Sequence, residues 1–539
     1  MPTTKDNLHK INKEFNEFIF LSKEDKSNFE NIVKSLVEKQ ILEKFYTQDL
    51  GIWNPKKITE NRLGWINYDK NIPNILKEGN KFIKDLIKKG YKQVVLIGMG
   101  GSSQSAKIFN SFKTLNNHYP ELIILDSIHE KDLANLLERL DLEKTIFIIS
   151  SKSGTTIETQ YLFDYFEEVL FGNNIKNLGS HFASITDEGT PLNQLSINKH
   201  FRHIFISQKD IGGRFSFATH FGIIPALICG FDVRNNLDNL KIACKSYRSN
   251  STNNPILQLA VLLSLFYKKE KHLLLISHDS KMKHFAEWLE QLIAESNGKE
   301  LRGIIPILIS NLKTENLHWI NNQYILLDYL PNTEKMHTLV DNQVPCIQYG
   351  AIDPDKMLSE MFKWQLVVSI FCYLINVDPF NEPDITYCKT LTLNVLKGKQ
   401  TMEPRKSISN KNSIQHLLNQ LNKNTPLAIN VFLPESEILN EKLKIFSDFI
   451  RAETGCITFT GYGPRYLHST GQIQKGESKN IHTLFILDKK INNTVPFKSK
   501  AQKQIHDLFY LQPEIDIISL KNLGRKVSIL DFNDNPINQ

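Results

Sequence analysis

The chain has 539 residues, of which 41% are hydrophobic, 23% charged and 10% aromatic, room for about three or four folded units and far from disordered, collagen-like or disulfide-dense compositions. Lys and Arg number 65 against 58 Asp and Glu, and the resulting +7 is spread along the chain, unlike the concentrated charge of a dedicated nucleic-acid binder. The six cysteines form no CxxC pair and follow no metal-ligand spacing, the apolar runs at 256–267 and 366–375 are too short for a bilayer, and MPTTKDNLHKINKEF lacks a signal core, so a cytoplasmic protein without membrane or metal is expected.

In chain order, Phe29, Ile32, Val33, Leu36, Val37 and Ile41 stand at helical spacing and predict a helical leader over residues 1–70. Strand-length runs then alternate with amphipathic stretches: QVVLIG, ELIILD, TIFIIS, HFASITD and HIFIS form a first α/β unit over 71–250. The polar, turn-rich RSNSTNNP marks a boundary at 248–255, and the alternation resumes with HLLLISHD, GIIPILIS, YILLDYL, VPCIQYG and a long apolar helix near 361–375, a second unit over 251–400. KSISNKNSIQHLLNQLNKNT separates it from PLAINVFLP, CITFTG, HTLFILD and KVSIL, a C-terminal α/β region over 401–539. The fold class predicted is α/β, with parallel sheets covered by helices on both faces.

Three strand-to-helix junctions carry the candidate chemistry. After TIFIIS stand Ser150, Ser151, Lys152, Ser153, Gly154, Thr155 and Thr156, a loop of hydroxyls, one cation and free N–H groups at a positive helix end that suits a phosphate dianion. Ordinary N-capping by Ser and Thr is the alternative use. After QVVLI, Gly98, Gly100 and Gly101 turn the chain, but Ser103 replaces the third glycine of a dinucleotide fingerprint, so close backbone approach fits better than nicotinamide binding. In DIGGRFS, Arg214 follows two glycines and either reaches into a cleft or makes a surface salt bridge. The helix bearing Glu287, Glu290 and Glu295 ends in ESNGK, where Asn297 and Gly298 stop it. By itself Glu295 reads as a solvated helix-end carboxylate.

VLIGMGGSS, ISSKSGTTIET, DIGGRFS, AESNGK and DPFNEPDITYCK follow one another between residues 94 and 389 in the order of the signature segments of glucose-6-phosphate isomerases, which the chain resembles. LGIWNPKKITENRLGWI and GYGPRYLHSTGQIQKGE are more particularly similar to the isomerase half of bacterial transaldolase/glucose-6-phosphate isomerase fusions, extending the resemblance from about residue 50 to the C terminus. A transaldolase barrel would need roughly 250 more residues, and no transaldolase activity is expected. The resemblance implies two sugar-isomerase sandwich domains and a reaction needing neither metal nor cofactor.

Carried over motif by motif, it implies that Gly101, Ser102, Ser151, Lys152, Ser153 and Thr156 hold a sugar 6-phosphate. Glu295 becomes the base between C1 and C2, Arg214 the partner of the enediolate oxygens, and Lys389 a group at the ring oxygen. The family commonly has Gln where Glu382 stands here. The ring-opening histidine of many relatives lies soon after the catalytic glutamate, where this chain has His318 in TENLHW; the fuller copy of its motif is LHSTGQ, with His468. His468 is therefore the expected ring-opening group, with Gln472 and Lys475 as further lining residues, and a loop-capping histidine is the alternative. A catalytically silent sugar-phosphate sensor is the rival function, distinguished by Glu295, Arg214 and Lys389 occurring together. Side activity on mannose 6-phosphate, and whether the chain is a monomer or a homodimer, are left open by the sequence.

Overall fold

The structure, a computed structural model, describes residues 8–10, 18–20, 23–53, 61–113, 119–312, 324–330, 344–399, 413–477, 481–488 and 497–532. Three parallel sheets organise it. The first has the order β4-β3-β5-β6-β7, from β3 (Gln93–Ile97), β4 (Glu121–Leu125), β5 (Thr145–Ser150), β6 (Phe182–Asp187) and β7 (His203–Ser207). The second runs β11-β10-β8-β9, from β8 (Leu273–His278), β9 (Ile305–Ser310), β10 (Tyr324–Asp328) and β11 (Cys346–Gln348). The third runs β13-β12-β14-β15, from β12 (Leu427–Phe432), β13 (Thr458–Tyr462), β14 (His482–Leu487) and β15 (Val527–Asp531). Every residue of β5, β6, β12 and β14 is buried. That is why these strands read as runs rich in apolar and β-branched residues rather than alternating ones: both faces of the sheet are covered.

The leader differs from its prediction. Before the helices Lys23–Glu38 and Ile41–Tyr46 lies a hairpin, β1 (Leu8–Lys10) with β2 (Phe18–Phe20). Strands of three residues are too short to show a period of two. The core is continuous across 248–255, with Tyr247 and Ile256 in one cluster. Asn254 accepts from the N–H groups of Ile256 and Leu257 and donates to the carbonyls of Ser246, Tyr247 and Ser249, tying the helices Val233–Tyr247 and Pro255–Lys268 together. The segment is polar because its side chains satisfy backbone groups at a tight join.

One core runs from Phe29 through the helices Tyr68–Lys88, His220–Ile228, Pro255–Lys268 and Met357–Leu374 to Phe380, joining the first two sheets. The other face of the first sheet, with Val95, Ile97, Phe147 and Ile149, packs on Phe432, Tyr466, Phe485 and Phe509 of the third region. The three sheets thus converge on one seam. Among the described residues no helix is long and apolar enough to cross a membrane.

Candidate active site

In the first sheet, strand order reverses between β3 and β5, and a crevice at such a switch point is where an open parallel sheet binds ligands. A cleft of about 700 Å³ opens there. Its floor is the turn Gly100–Gly101–Ser102 after β3, its flank Lys152, Ser153 and Thr156 after β5, and Asp187 ends β6 while Arg214 stands in the turn Gly213–Phe215 that follows β7. Gly100 has φ +55°, and a Cβ there would lie 2.7 Å from the carbonyl oxygen of His468. At Gly101 a Cβ would lie 2.3 Å from the carbonyl oxygen of Gly213. These glycines let three turns meet backbone to backbone.

The loop after β5 is not spent on capping. Thr156 occupies the N-cap of the helix Ile157–Gly172 without a side-chain cap bond; its Oγ1 instead accepts from Ser151 Oγ at 3.0 Å. Lys152 Nζ reaches both Asp187 oxygens at 2.7 and 2.8 Å. Burial pulls the pKa of Lys152 below its ordinary value, against the attraction of Asp187.

The motif ESNGK ends the helix Lys283–Asn297, and each of its letters has a task. Glu295 lines the cleft with its side chain 13% exposed. Ser296 Oγ accepts from Arg214 Nε at 3.1 Å, and Asn297 closes the turn by accepting from the N–H of Ile304 at 2.7 Å. A Cβ on Gly298 would meet Ile473 at 2.5 Å, and Lys299 Nζ donates to the carbonyl of Asp378 at 2.6 Å. Arg214 is buried, not on the surface. Its Nη1 faces Glu382 at 3.0 Å and Glu295 at 3.4 Å, while Nη2 donates to the carbonyl of Asn381 at 2.9 Å. Burial drives the pKa of Glu295 up to about 7 against the pull of Arg214, helped by the negative charge of Glu382.

The opposite wall is the turn Arg465–His468, supplied by the third region. His468 Nε2 lies 3.1 Å from Glu158 Oε1, which also accepts from Gln512 at 2.6 Å. Burial would raise the pKa of Glu158, but His468 and these hydrogen bonds bring it down to about 2. Gln291 Nε2 donates to the carbonyl of His468 at 2.9 Å and faces Glu295 Oε1 at 3.4 Å, linking the two walls.

Of the residues that the resemblance assigns to the site or marks as a departure there, Gly101, Ser102, Lys152, Ser153, Thr156, Arg214, Glu295, Glu382, Lys389 and His468 line this cleft. Three do not. Ser151 is buried one layer behind, against Thr156. Gln472 is fully buried, donating to the carbonyl of Gly298 and to Asp384. Lys475 is buried in an ion pair with Asp516 at 2.6 Å. The predicted lining roles of Gln472 and Lys475 are thus corrected: the short helix Gly471–Gly476 turns both side chains inward, toward carboxylates of the helices Pro383–Leu396 and Lys500–Asn522. His318 lies outside the described residues.

Sequence reasoning overlooked Glu158, behind His468, and the cleft-lining Gln291, Asp187, Arg62 and Lys209. An acid in the first turn of a helix, as Glu158 is, is ordinarily explained by the helix dipole, so its second use was hidden. Arg62 arrives through the isolated bridge between Leu63 and Ile211, a contact across distant sequence.

Parallel sheets with a switch-point cleft, a buried carboxylate poised near neutrality and a histidine–carboxylate pair together define an α/β enzyme with acid–base chemistry. The phosphoglucose isomerase family model matches residues 74–319. Over 388 residues the chain is 30% identical to the glucose-6-phosphate isomerase of Campylobacter jejuni, covering 64% of this chain and 94% of that protein. It is 28% identical over 405 residues to that of Staphylococcus saprophyticus, covering 64% and 88%. The fold is shared with a crystal structure of a glucose-6-phosphate isomerase from Chlamydia trachomatis, with a TM-score of 0.57 at 14% identity over 75% of this chain and 90% of that one. A hypothetical protein of Thermus thermophilus aligns at a TM-score of 0.58, with 19% identity, over 68% of this chain and 98% of that one. The chain belongs to the phosphoglucose isomerase family.

Proposed function

We propose that the chain is an aldose–ketose isomerase interconverting D-glucose 6-phosphate and D-fructose 6-phosphate through a cis-enediol. The observation that carries this reading is that Glu295, Arg214, His468 and the hydroxyl loop after β5 open on one cleft. The 6-phosphate is held by the N–H and O–H donors of Ser102, Ser153 and Thr156, with Lys152 adding charge. His468, held by Glu158, and Lys389 exchange a proton with the ring oxygen and the C1 hydroxyl to open the ring. Glu295 then takes the proton from C2 and returns it to C1, on the same face of the sugar, as a single carboxylate can. Arg214, whose N–H groups are held by protein partners, offsets through its charge the negative charge that develops on the enediolate oxygens. Burial of Glu295 serves this step, because a carboxylate of ordinary acidity is a weak base at neutral pH.

The direct test is fructose 6-phosphate formation from glucose 6-phosphate by the purified chain after chelator treatment; loss of activity reversed by a divalent ion would overturn the mechanism. Glu295 must be ionised to accept the C2 proton, and its pKa stands at about 7. The rate at limiting substrate should therefore fall about tenfold per pH unit below that value and level off above it. A profile flat from pH 5 to 8 would remove Glu295 from the rate-limiting step.

A further inference from the structure

The chemistry above leaves Glu382 without a task. It lines the cleft, stands one residue before the helix Pro383–Leu396, and its carboxylate lies nearer to Arg214 Nη1 than that of Glu295 does, 3.0 against 3.4 Å. The other donors of Arg214 are engaged by Ser296 Oγ and by the carbonyls of Pro379 and Asn381. One guanidinium nitrogen therefore meets two carboxylates.

The groups around this triad are few and come from every neighbouring element. Lys389 lies on the helix that follows Glu382, and Asp378 and Lys299 stand behind Arg214. Gln291 comes from the helix of Glu295 itself, and the turn of His468 closes the opposite wall. We propose that Glu382 is a positioning residue for the proton transfer: by taking the nearer share of Arg214, it keeps that arginine from pinning Glu295 in its charged form.

The physical reason is competition for one charge. A carboxylate fully paired with an arginine typically becomes more acidic by about one to three pH units, which would make Glu295 a poor base. With Glu382 on the same nitrogen, the two acids share the attraction and repel one another. Burial pushes Glu382 up, yet Arg214 and Lys389 hold it below its ordinary value, whereas Glu295 stands well above its own. A proton entering the triad therefore goes to Glu295, the residue that faces C1 and C2 in the reading above, on which this inference rests.

The test is the pH dependence of kcat/KM for fructose 6-phosphate in the full chain, wild type against Glu382→Gln, with melting temperature recorded alongside. The glutamine keeps a hydrogen bond to Arg214 and loses the competing charge, so the acid limb should move down by about one pH unit while the melting temperature stays put. KM should fall a few-fold as well, since a negative charge leaves a cleft that binds a dianion. A limb that stays where the wild type has it, in a folded variant, overturns the role. Should Glu382→Gln lose its melting transition, Glu382→Asp must keep the wild-type limb and Glu382→Ser must shift it; any other pattern also overturns the role. Wild-type protein without isomerase activity would instead overturn the functional reading, whereas an active wild type with an unmoved limb overturns this inference alone.

Discussion

The loop after β5 and the short helix Gly471–Gly476 just past the turn of His468 each contain a lysine paired with an aspartate, and the two pairs differ in depth. Lys152 and Asp187 meet at 2.7 Å with side chains 13% and 11% exposed, on the wall of the cleft. Lys475 and Asp516 meet at 2.6 Å with side chains 0% and 1% exposed, behind it. The first pair borders the cleft, although Asp187 itself is largely buried. The second cannot exchange partners, and it fixes the short helix Gly471–Gly476 against Lys500–Asn522. Tyr466, two residues before His468, donates to the same Asp516. The same pairing chemistry therefore stands on the cleft wall in one place and anchors the turn of His468 in the other.

Mutations can break this contrast, and the largest effect lies between the two regions. Glu295→Gln keeps shape but loses basicity, so turnover should drop by about a thousandfold or more, with solvent deuterium no longer entering C2 and binding of 6-phosphogluconate nearly unchanged. Weak binding instead would mean that Glu295 holds the substrate rather than moving its proton.

Next comes the buried pair. Asp516→Ala leaves Lys475 charged and unpartnered in the interior and should cost about 3 to 5 kcal/mol of stability, read as a large fall in melting temperature. Asp187→Ala should lower the melting temperature less, because its pair borders the cleft. Equal losses from the two substitutions would erase the distinction between the pairs.

Lys152→Ala sharpens the other side of it. Removal of a charge-assisted hydrogen bond to phosphate costs about 1.5 to 3 kcal/mol, so KM and the inhibition constant of 6-phosphogluconate should rise about tenfold or more in a stably folded protein. Unchanged affinity would take the loop after β5 out of the site.

The smallest effect is expected at the histidine's support. Glu158→Gln should slow turnover of cyclic glucose 6-phosphate by about tenfold, or ~1.4 kcal/mol, with less effect on an open-chain analogue. His468→Ala should show the same pattern more strongly and His318→Ala only weakly; the reverse order would move ring opening to His318.

Much of the molecule was legible in the chain itself. Completely buried parallel strands announce themselves as short runs rich in apolar and β-branched residues, and TIFIIS, HFASITD, LAINVF and HTLFIL became β5, β6, β12 and β14, whereas the longer apolar runs became buried helices. The cleft residues with local signatures were also readable: glycines where turns touch, hydroxyls before a helix, ESNGK at a helix end. What sequence could not supply was the side of each polar residue that faces water. GQIQKG reads as a lining segment, yet Gln472 and Lys475 point inward, since a segment's polarity does not reveal whether its partner is solvent or a buried carboxylate. Glu295 reads by itself as solvated and is buried with a pKa of about 7, and Arg214, which its motif leaves open between cleft and surface, is buried and shared by two acids. Glu158 and His468, 310 residues apart, become a pair only when the third sheet docks on the first. Spacing along the chain encodes local structure, but desolvation and charge sharing are properties of what other segments bring, and those only the tertiary structure decides.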